Sequence, residues 1–201
     1  MFRKLLAGLA AVVVASSTAT AAHAAPQSSD TSAPDMNGWE VTINGKVFEP
    51  DTVEGEDRSR DKASGVDTQL NPITIGLCNM GAKDKVIQSF KSTKDGDVDL
   101  KCGTSSDGYI HIREEHEDQW EDQKKDWPGY WDDLMVQAVQ DSVEDGHVAI
   151  SQKGNKRCYA GTVQIKFKGK VVNTFHPSTI VSKNNKKIIT SIPTNEHRCV
   201  P

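Results

Sequence analysis

Two histidines in a short polar run are the residues whose chemistry stands out first. His111 and His116 lie five positions apart in the run from Gly108 to Trp120, and Arg113 stands between them. Imidazole changes its charge near neutral pH, so a pair of histidines can act as general base and general acid in one displacement reaction. The run therefore indicates acid–base chemistry.

The spacing of the two histidines limits how they can meet. Five residues along a continuous helix turn about 500°, which leaves the rings about 140° apart and about 7.5 Å along the axis. We therefore expect the rings to converge only if His111 lies in a non-helical segment before the helix. His116 also lines up with Ile112 and Trp120 at i, i+4 spacing, so a core histidine is an open alternative. His111 alone is an ordinary exposed polar residue.

Metal and nucleotide chemistry have little support in the sequence. Zinc-binding histidine pairs on helices are spaced i, i+4, whereas His111 and His116 are spaced i, i+5, and the chain has no C-x-x-C pair. No G-x-S-x-G elbow, phosphate-binding P-loop or G-x-G-x-x-G motif occurs either. We expect no metal and no cofactor, and a reaction in which the substrate supplies its own nucleophile.

Residues 1–24 have the pattern of a secretory signal peptide. A basic start precedes an apolar stretch from Leu5 to Val14, and Ala22-His23-Ala24 has the form of a signal peptidase site. That stretch is much shorter than the roughly 20 residues that span a bilayer. We expect a secreted protein without a membrane span, a disordered leader over residues 25–36 and a single domain over residues 37–201.

The four cysteines predict structural disulfides, as is usual in exported proteins. Four cysteines allow three pairings, which the sequence by itself does not distinguish. We expect neighbours to pair, so that Cys78 joins Cys102 and Cys158 joins Cys199.

Charge is distributed unevenly along the chain. Without the two basic residues of the signal peptide, 22 basic residues stand against 28 acidic ones, a net charge of −6. Residues 151–201 hold ten Lys and Arg and one acid, Glu196, for a net of +9, which leaves about −15 for the preceding part. A basic third attached to an acidic body suggests a polyanionic partner, although a lopsided solvated surface fits equally.

Local patterns predict the elements that position these residues. Asn44-Gly45 supplies the two positive-φ positions of a type I′ turn in a hairpin over Trp39–Phe48. Residues 54–68 are highly charged and predict a mobile loop. Three short apolar segments, at residues 73–78, 86–90 and 98–102, are compatible with strands or a short helix.

The second half of the chain changes its period. One helix begins at Gly108 and is expected to stop at Pro128-Gly129, and a second covers Trp131–Asp145 before Gly146. Short β-prone runs follow, at residues 147–152, 157–160, 162–168, 171–175, 179–182 and 187–192. The order predicts an α+β fold in which two helices pack on an antiparallel β-meander, with the hairpin as an N-terminal extension.

Several motifs together resemble a known superfamily. They are Leu100-Lys-Cys-Gly103, then Gly108-Tyr-Ile-His-Ile-Arg-x-x-His116 with Trp120 four residues on, and the closing run Lys187-Ile-Ile-Thr-Ser-Ile-Pro-Thr194. In this order they resemble the toxin ribonuclease superfamily of barnase, EndoU, colicin and RelE-like domains, particularly its polymorphic-toxin branches. The resemblance covers about residues 100–194, which would be the ribonuclease-like core.

The resemblance implies a metal-free endoribonuclease in which the ribose 2′-hydroxyl attacks the adjacent phosphate. His111 and His116 would be the acid and base, and Thr190 would hydrogen-bond the scissile phosphate. Arg113 and Lys187 would be electrostatic helpers, and the basic meander with Lys166 and Lys186 would hold the remaining phosphates. RNA is then the substrate of a monomeric, secreted toxin, and a cognate immunity protein is an admissible partner.

One departure from the family pattern supports a second hypothesis. Glu115 stands where the pattern often has a basic residue, and the helix around it is acidic, as expected of an inactive descendant. The alternative is therefore an exported non-enzymatic binding or inhibitor protein that uses the basic C-terminal sheet. His176 lies in the basic third and could replace one member of the pair, whereas His147 and His197 have no motif around them.

Overall fold

The computed structural model describes residues 36–48, 70–145, 148–196 and 199. The expected signal peptide, the leader up to residue 35, the loop 54–68, His147 and His197 lie outside these residues. The described chain forms three helices and nine strands, in the order β1 (Trp39–Ile43), β2 (Lys46–Phe48), α1 (Pro72–Asn79), β3 (Val86–Ser92), β4 (Gly96–Lys101), α2 (Gly108–Lys124), α3 (Trp131–Glu144), β5 (Val148–Gln152), β6 (Lys156–Ala160), β7 (Val163–Phe167), β8 (Lys170–Ser182) and β9 (Lys187–Thr194).

The strands of the described residues form one mixed sheet. They lie in the order β2-β1-β7-β8-β9-β4-β3, while β6 pairs with β8 and carries β5 on its other edge. Neighbouring strands are antiparallel, except that β4 and β9 run parallel and pair at Asp99 and Lys187. The α+β expectation is therefore confirmed in its broad form.

The long strand β8 makes the sheet differ from the expected plain meander. The predicted runs 171–175 and 179–182 are one strand of 13 residues. Its first half pairs with β7 and its second half pairs with β6 on one side and β9 on the other. The strand passes through Pro177, which stands opposite Pro193 in β9. Proline lacks an N–H and usually interrupts a central strand, which is why the sequence suggested a break.

The predicted hairpin is present, and its turn residue also anchors it to the rest of the fold. Asn44 and Gly45 have φ angles of 49° and 83°, as a type I′ turn requires. The Asn44 side-chain amide donates to the carbonyl of Asp141 at 3.0 Å, and its oxygen accepts from the Thr162 N–H at 2.9 Å. The turn therefore connects β1 to α3 and to the start of β7.

Helix α1 occupies the first apolar segment that the sequence left unassigned. Asn71 caps it by accepting a hydrogen bond from the Ile73 N–H at 2.9 Å, and Pro72 opens it at a position that needs no donor. The helix has eight residues, fewer than the 11 to 18 residues that periodicity needs to separate a helix from a strand. The described residues thus form three helices, and the third is the short helix that the sequence had left open as an alternative to a strand.

Helices α2 and α3 pack on the sheet, and α3 begins at Trp131, where it was expected. Helix α2 ends at Lys124, before Pro128, because Lys125 adopts a φ of 54° that no helix continues. The fully buried Trp120 packs edge-on against Phe175 of β8 and donates from Nε1 to the carbonyl of Ser191 at 3.1 Å. This indole therefore fixes α2 against both β8 and β9.

Candidate functional site

A tight loop, residues 103–107, sets the start of α2. Thr104 and Asp107 exchange backbone hydrogen bonds at 2.8 and 3.2 Å, and the Ile110 N–H donates to the carbonyl of Cys102 at 2.9 Å. Asp107 occupies the N-cap position in an extended conformation, yet its carboxylate makes no capping bond. The first turn of α2 is thus held by backbone contacts to the preceding loop.

Substitution of Gly103 is expected to disrupt this loop. A Cβ at Gly103 would lie 1.9 Å from the carbonyl oxygen of Asp107, and the residue has a φ of 70°. Gly103→Ala should lower the free energy of unfolding by at least about 2 kcal/mol, measured by urea denaturation. Gly154→Ala is the matched control, because Gly154 has the same φ with no neighbour within 4 Å, and should cost only about 1 kcal/mol. Equal losses in the two variants would contradict the proposed clash.

The two predicted histidines meet in the structure. The ring centroids of His111 and His116 are 5.4 Å apart, and the rings are nearly perpendicular. We expected convergence only with His111 outside the helix, and this condition was wrong, since α2 begins at Gly108 and includes His111. Side chains on a helix lean toward its N-terminus, so the His116 ring can reach back toward the preceding turn.

A backbone carbonyl fixes the protonation pattern of His111. Its Nδ1 lies 2.9 Å from the carbonyl oxygen of Ser105, in the loop that precedes α2. A carbonyl oxygen only accepts, so Nδ1 carries a proton in both charge states of this imidazole. This contact leaves Nε2 as the nitrogen of His111 that can face a substrate.

His116 is half-buried and lies in a different electrostatic setting. Burial lowers its pKa below the ordinary value of 6.5, and the nearby His111 lowers it further, while a hydrogen bond with Gln119 and the charge of Glu115 act in the opposite direction. Its Nδ1 is buried without a hydrogen-bond partner among the described residues. His116 is therefore biased toward the neutral form, which can accept a proton.

The lowered pKa of His116 has a consequence for stability. Below pH 6.5 the unfolded chain binds a proton at this residue more readily than the folded chain does. The free energy of unfolding should therefore fall as the pH decreases through 6.5 toward the lower folded pKa. Urea unfolding at pH 7.5 and 5.5 should show a larger loss for the parent than for His116→Gln. An identical loss in both proteins would show that His116 is not the group responsible.

Thr190 lies on β9, the strand to which Trp120 of α2 is hydrogen-bonded. Trp120 follows His116 by one helical turn, and its hydrogen-bond acceptor Ser191 is the residue next to Thr190. Between the pairs Ile188–Val181 and Thr190–Ile180, β9 contains one extra residue, a β-bulge that re-aims the side chains after it. The Thr190 hydroxyl is buried and has no hydrogen-bond partner among the described residues.

Arg113 and Lys166, expected to bind substrate, are engaged elsewhere. The Arg113 guanidinium donates to the Asn79 side chain at 2.6 Å and lies 5.7 Å from the centre of the Tyr109 ring. Lys166 forms an ion pair with Glu40 at 2.7 Å, across the pairing of β7 with β1. Neither contact joins these cations to the histidine pair.

Lys186 and Lys187 lie at the start of β9 with acidic neighbours. The Lys186 ammonium is 3.9 Å from the buried Asp95, which also accepts from Arg157 at 2.8 Å and from the Tyr159 hydroxyl at 2.6 Å. Burial, followed by the bond to Asp95, raises the pKa of Tyr159 to about 12. Lys187 binds the Asp107 carboxylate at 2.6 Å and so contacts the loop before α2.

Sequence reasoning missed a cavity of about 310 Å³ to whose wall the loop 103–107 contributes. Its wall includes Lys83, Lys101 and Lys187, together with Gly103 and Asp107. The available signal was the presence of Lys83 and Lys101 in an otherwise acidic part of the chain, but only the folded chain brings them together with Lys187. The loop 103–107 thus forms part of the wall of a lysine-lined cavity and, through Ser105, also contacts His111.

The expected disulfides are present. Cys78 is bonded to Cys102 and Cys158 to Cys199, and each pair closes a loop between sequence neighbours. The first disulfide ties the end of α1 to the residue that precedes Gly103. It therefore braces the loop on which both His111 and the cavity depend.

Among the described residues, no group of three or more His, Cys, Asp or Glu side chains is arranged to hold a metal ion. Likewise, none of the helices formed by these residues is long and apolar enough to span a bilayer.

His176, a histidine of the basic third, lies on β8 and not on α2. Its Nδ1 is 3.2 Å from the Thr162 hydroxyl and 3.3 Å from the carbonyl of Gly161. These contacts link β8 to the segment between β6 and β7.

No protein-family model matches this chain, and no curated protein matches it significantly.

Proposed function

We propose that this chain is a secreted, metal-independent endoribonuclease of toxin type. The observation that carries the proposal is the pair formed by His111 and His116, whose rings lie 5.4 Å apart at the start of α2. The two imidazoles have different surroundings, and acid–base catalysis needs one group to accept a proton while the other donates one. The finer fold is part of the same proposal: a ribonuclease core over about residues 100–194, built from α2, α3 and the strands that follow.

The surroundings of the two rings assign their roles. His116 is biased toward the neutral form, so it takes the proton from the ribose 2′-hydroxyl as the 2′-oxygen attacks the adjacent phosphorus. The Nδ1 of His111 donates a hydrogen bond to the carbonyl of Ser105. Its Nε2 donates a proton to the leaving 5′-oxygen as the P–O5′ bond breaks. The products are a 2′,3′-cyclic phosphate and a free 5′-hydroxyl, and the proton lost by His111 balances the one gained by His116.

Thr190 is proposed to stabilise charge on the phosphoryl oxygens. Its hydroxyl is buried without a partner among the described residues, and burying such a group costs about 1–3 kcal/mol. If this hydroxyl donates a hydrogen bond only to a bound phosphate, that role would explain why the protein keeps an unpaired buried group in spite of its cost. The packing of Trp120 on Ser191 supports a position for Thr190 beside His116.

Export and oxidation fit the same proposal. The two disulfides are typical of proteins that fold in an oxidising compartment, which supports the expected secretion. The expected signal peptide, monomeric state, RNA substrate and immunity protein remain parts of the proposal.

Incubation of the purified protein with total RNA in EDTA at low salt tests the proposal. We expect fragments to accumulate with the parent protein, and far fewer with His111→Ala or His116→Ala. Loss of parent cleavage on adding EDTA would contradict the metal-free mechanism. Intact RNA after long incubation with the parent would favour a non-enzymatic protein.

One observation favours that second candidate, an exported binding or inhibitor protein. Glu114, Glu115 and Asp118 are exposed on α2 around the histidine pair. These carboxylates would repel an approaching phosphate backbone, so they favour a protein that binds its partner through the basic C-terminal sheet and not at the histidine pair. Glu115→Lys separates the candidates, because it should increase cleavage by a ribonuclease but should produce no cleavage in a protein that only binds through the sheet.

A further inference from the structure

The cavity lined by Lys83, Lys101 and Lys187 has no role in the proton transfers proposed above. It is large enough for a phosphate group, and the loop that contacts His111 through Ser105 also provides Gly103, Thr104 and Asp107 to its wall. We propose that it binds a phosphate of the polynucleotide next to the one that is cleaved. This inference rests on the proposed function and gives the site a second point of attachment.

The charges around the cavity favour an anion. Three lysines stand against two carboxylates, those of Asp84 and Asp107. Lys83 forms no ion pair with any other described residue, and Lys101 lies 4.0 Å from Asp99, at the limit of an ion pair. Two ammonium groups are therefore available to a phosphate, which prefers several charge-assisted hydrogen bonds.

Asp107 holds the place that the phosphate would take. Aspartate in the extended N-cap position usually accepts from the first turn of its helix, yet this carboxylate bonds Lys187 at 2.6 Å instead. An arriving phosphate can take over Lys187, and Asp107 is then free to cap α2. In the free protein Lys187 is thus paired with the Asp107 carboxylate, and on binding the phosphate replaces this carboxylate as the partner of Lys187.

The loop makes the cavity relevant to cleavage. Ser105, which holds His111 through its carbonyl, belongs to the same five-residue loop as Gly103, Thr104 and Asp107. A polynucleotide that is anchored at this loop is held close to His111, which contacts the same loop. Phosphate contacts of this kind fix the register of a nucleic acid without reading its sequence.

Binding is best followed at the loop itself. Amide spectra of the ¹⁵N-labelled protein would be titrated with sodium phosphate, then with a DNA oligonucleotide, each against sodium chloride at equal ionic strength. DNA lacks the 2′-hydroxyl and so stays intact in the proposed reaction, which separates binding from cleavage. We expect saturable shifts at Gly103, Thr104 and Asp107 with both probes.

Two substitutions should change the affinity in opposite directions. The double variant Lys83→Gln/Lys101→Gln should weaken binding of both probes about tenfold and lower the salt slope of oligonucleotide binding by about 1. Asp107→Asn removes the competing charge and should strengthen binding several-fold, a gain that misfolding does not produce. Lys170→Gln is the matched control. Lys170 lies at the opposite end of β8 from Ser182, which pairs with Lys187 of the cavity, so this variant should leave the loop shifts unchanged.

Several results would overturn the inference. They are shifts equal in the parent and the lysine double variant, weaker binding in Asp107→Asn, or a response to phosphate with none to the oligonucleotide. If the shifts saturate with the oligonucleotide but the protein cleaves no RNA, the result would support the phosphate site and contradict the proposed ribonuclease activity.

Discussion

His111→Ala and His116→Ala are each expected to lower the rate of RNA cleavage by about 100-fold or more. Each removes one half of a proton-transfer pair, and a positioned general acid or base contributes about 10²–10⁴ in rate. The double variant should be little slower than either single variant, because the two groups act in one step. Single-turnover cleavage of a fluorogenic RNA oligonucleotide at low salt measures these rates.

His176→Ala is the matched control for the histidine variants. It removes an imidazole from β8 of the same chain, but this ring contacts Thr162 and Gly161, which lie between β6 and β7. Cleavage should stay within about threefold of the parent, with folding checked by circular dichroism. A loss in His176→Ala as large as in His116→Ala would mean that His176 belongs to the catalytic pair.

The second large effect concerns the disulfide between Cys78 and Cys102. Its removal in Cys78→Ser/Cys102→Ser should lower the free energy of unfolding by about 3.5 kcal/mol, from the entropy of a closed loop with a sequence separation of 24. Cleavage should fall as well, because the bond fixes the residue before Gly103 and the end of α1. Urea denaturation and the cleavage assay measure the two effects.

The other disulfide provides the comparison. Cys158→Ser/Cys199→Ser should cost about 4 kcal/mol, since the sequence separation is 41. Hydrogen exchange separates the two variants, because the Ile110 amide donates to the carbonyl of Cys102 and should lose protection only when Cys102 is changed. Equal loss of protection in both variants would contradict a local role for the Cys78–Cys102 bond.

Elements set by local chemistry are the ones that the sequence predicted well. The Asn44-Gly45 turn needs two positive φ angles, and few other residue pairs adopt them easily. The apolar spacing of α3 likewise determines which face it buries, so its predicted range differs from the observed range by one residue, Asp145. Such features depend on neighbours in sequence, which a pattern reports directly.

The candidate site depends on contacts between distant segments, which no pattern reports. Lys187 meets Asp107 across 80 residues, and Trp120 meets Ser191 across 71. The bulge that sets the direction of Thr190 follows from the register of β9 on β8. The sequence could therefore name both histidines, but not the loop, the cavity or the unpartnered hydroxyl around them.

The most direct test of the central claim uses a DNA oligonucleotide that contains a single ribonucleotide, incubated with the parent protein in EDTA. We expect one cut, on the 3′ side of the ribonucleotide, with a 2′,3′-cyclic phosphate and a 5′-hydroxyl identified by mass spectrometry. This outcome requires attack by the 2′-hydroxyl. An uncut strand, cleavage within the DNA portions, or a product with a free 3′-hydroxyl would contradict the proposed mechanism.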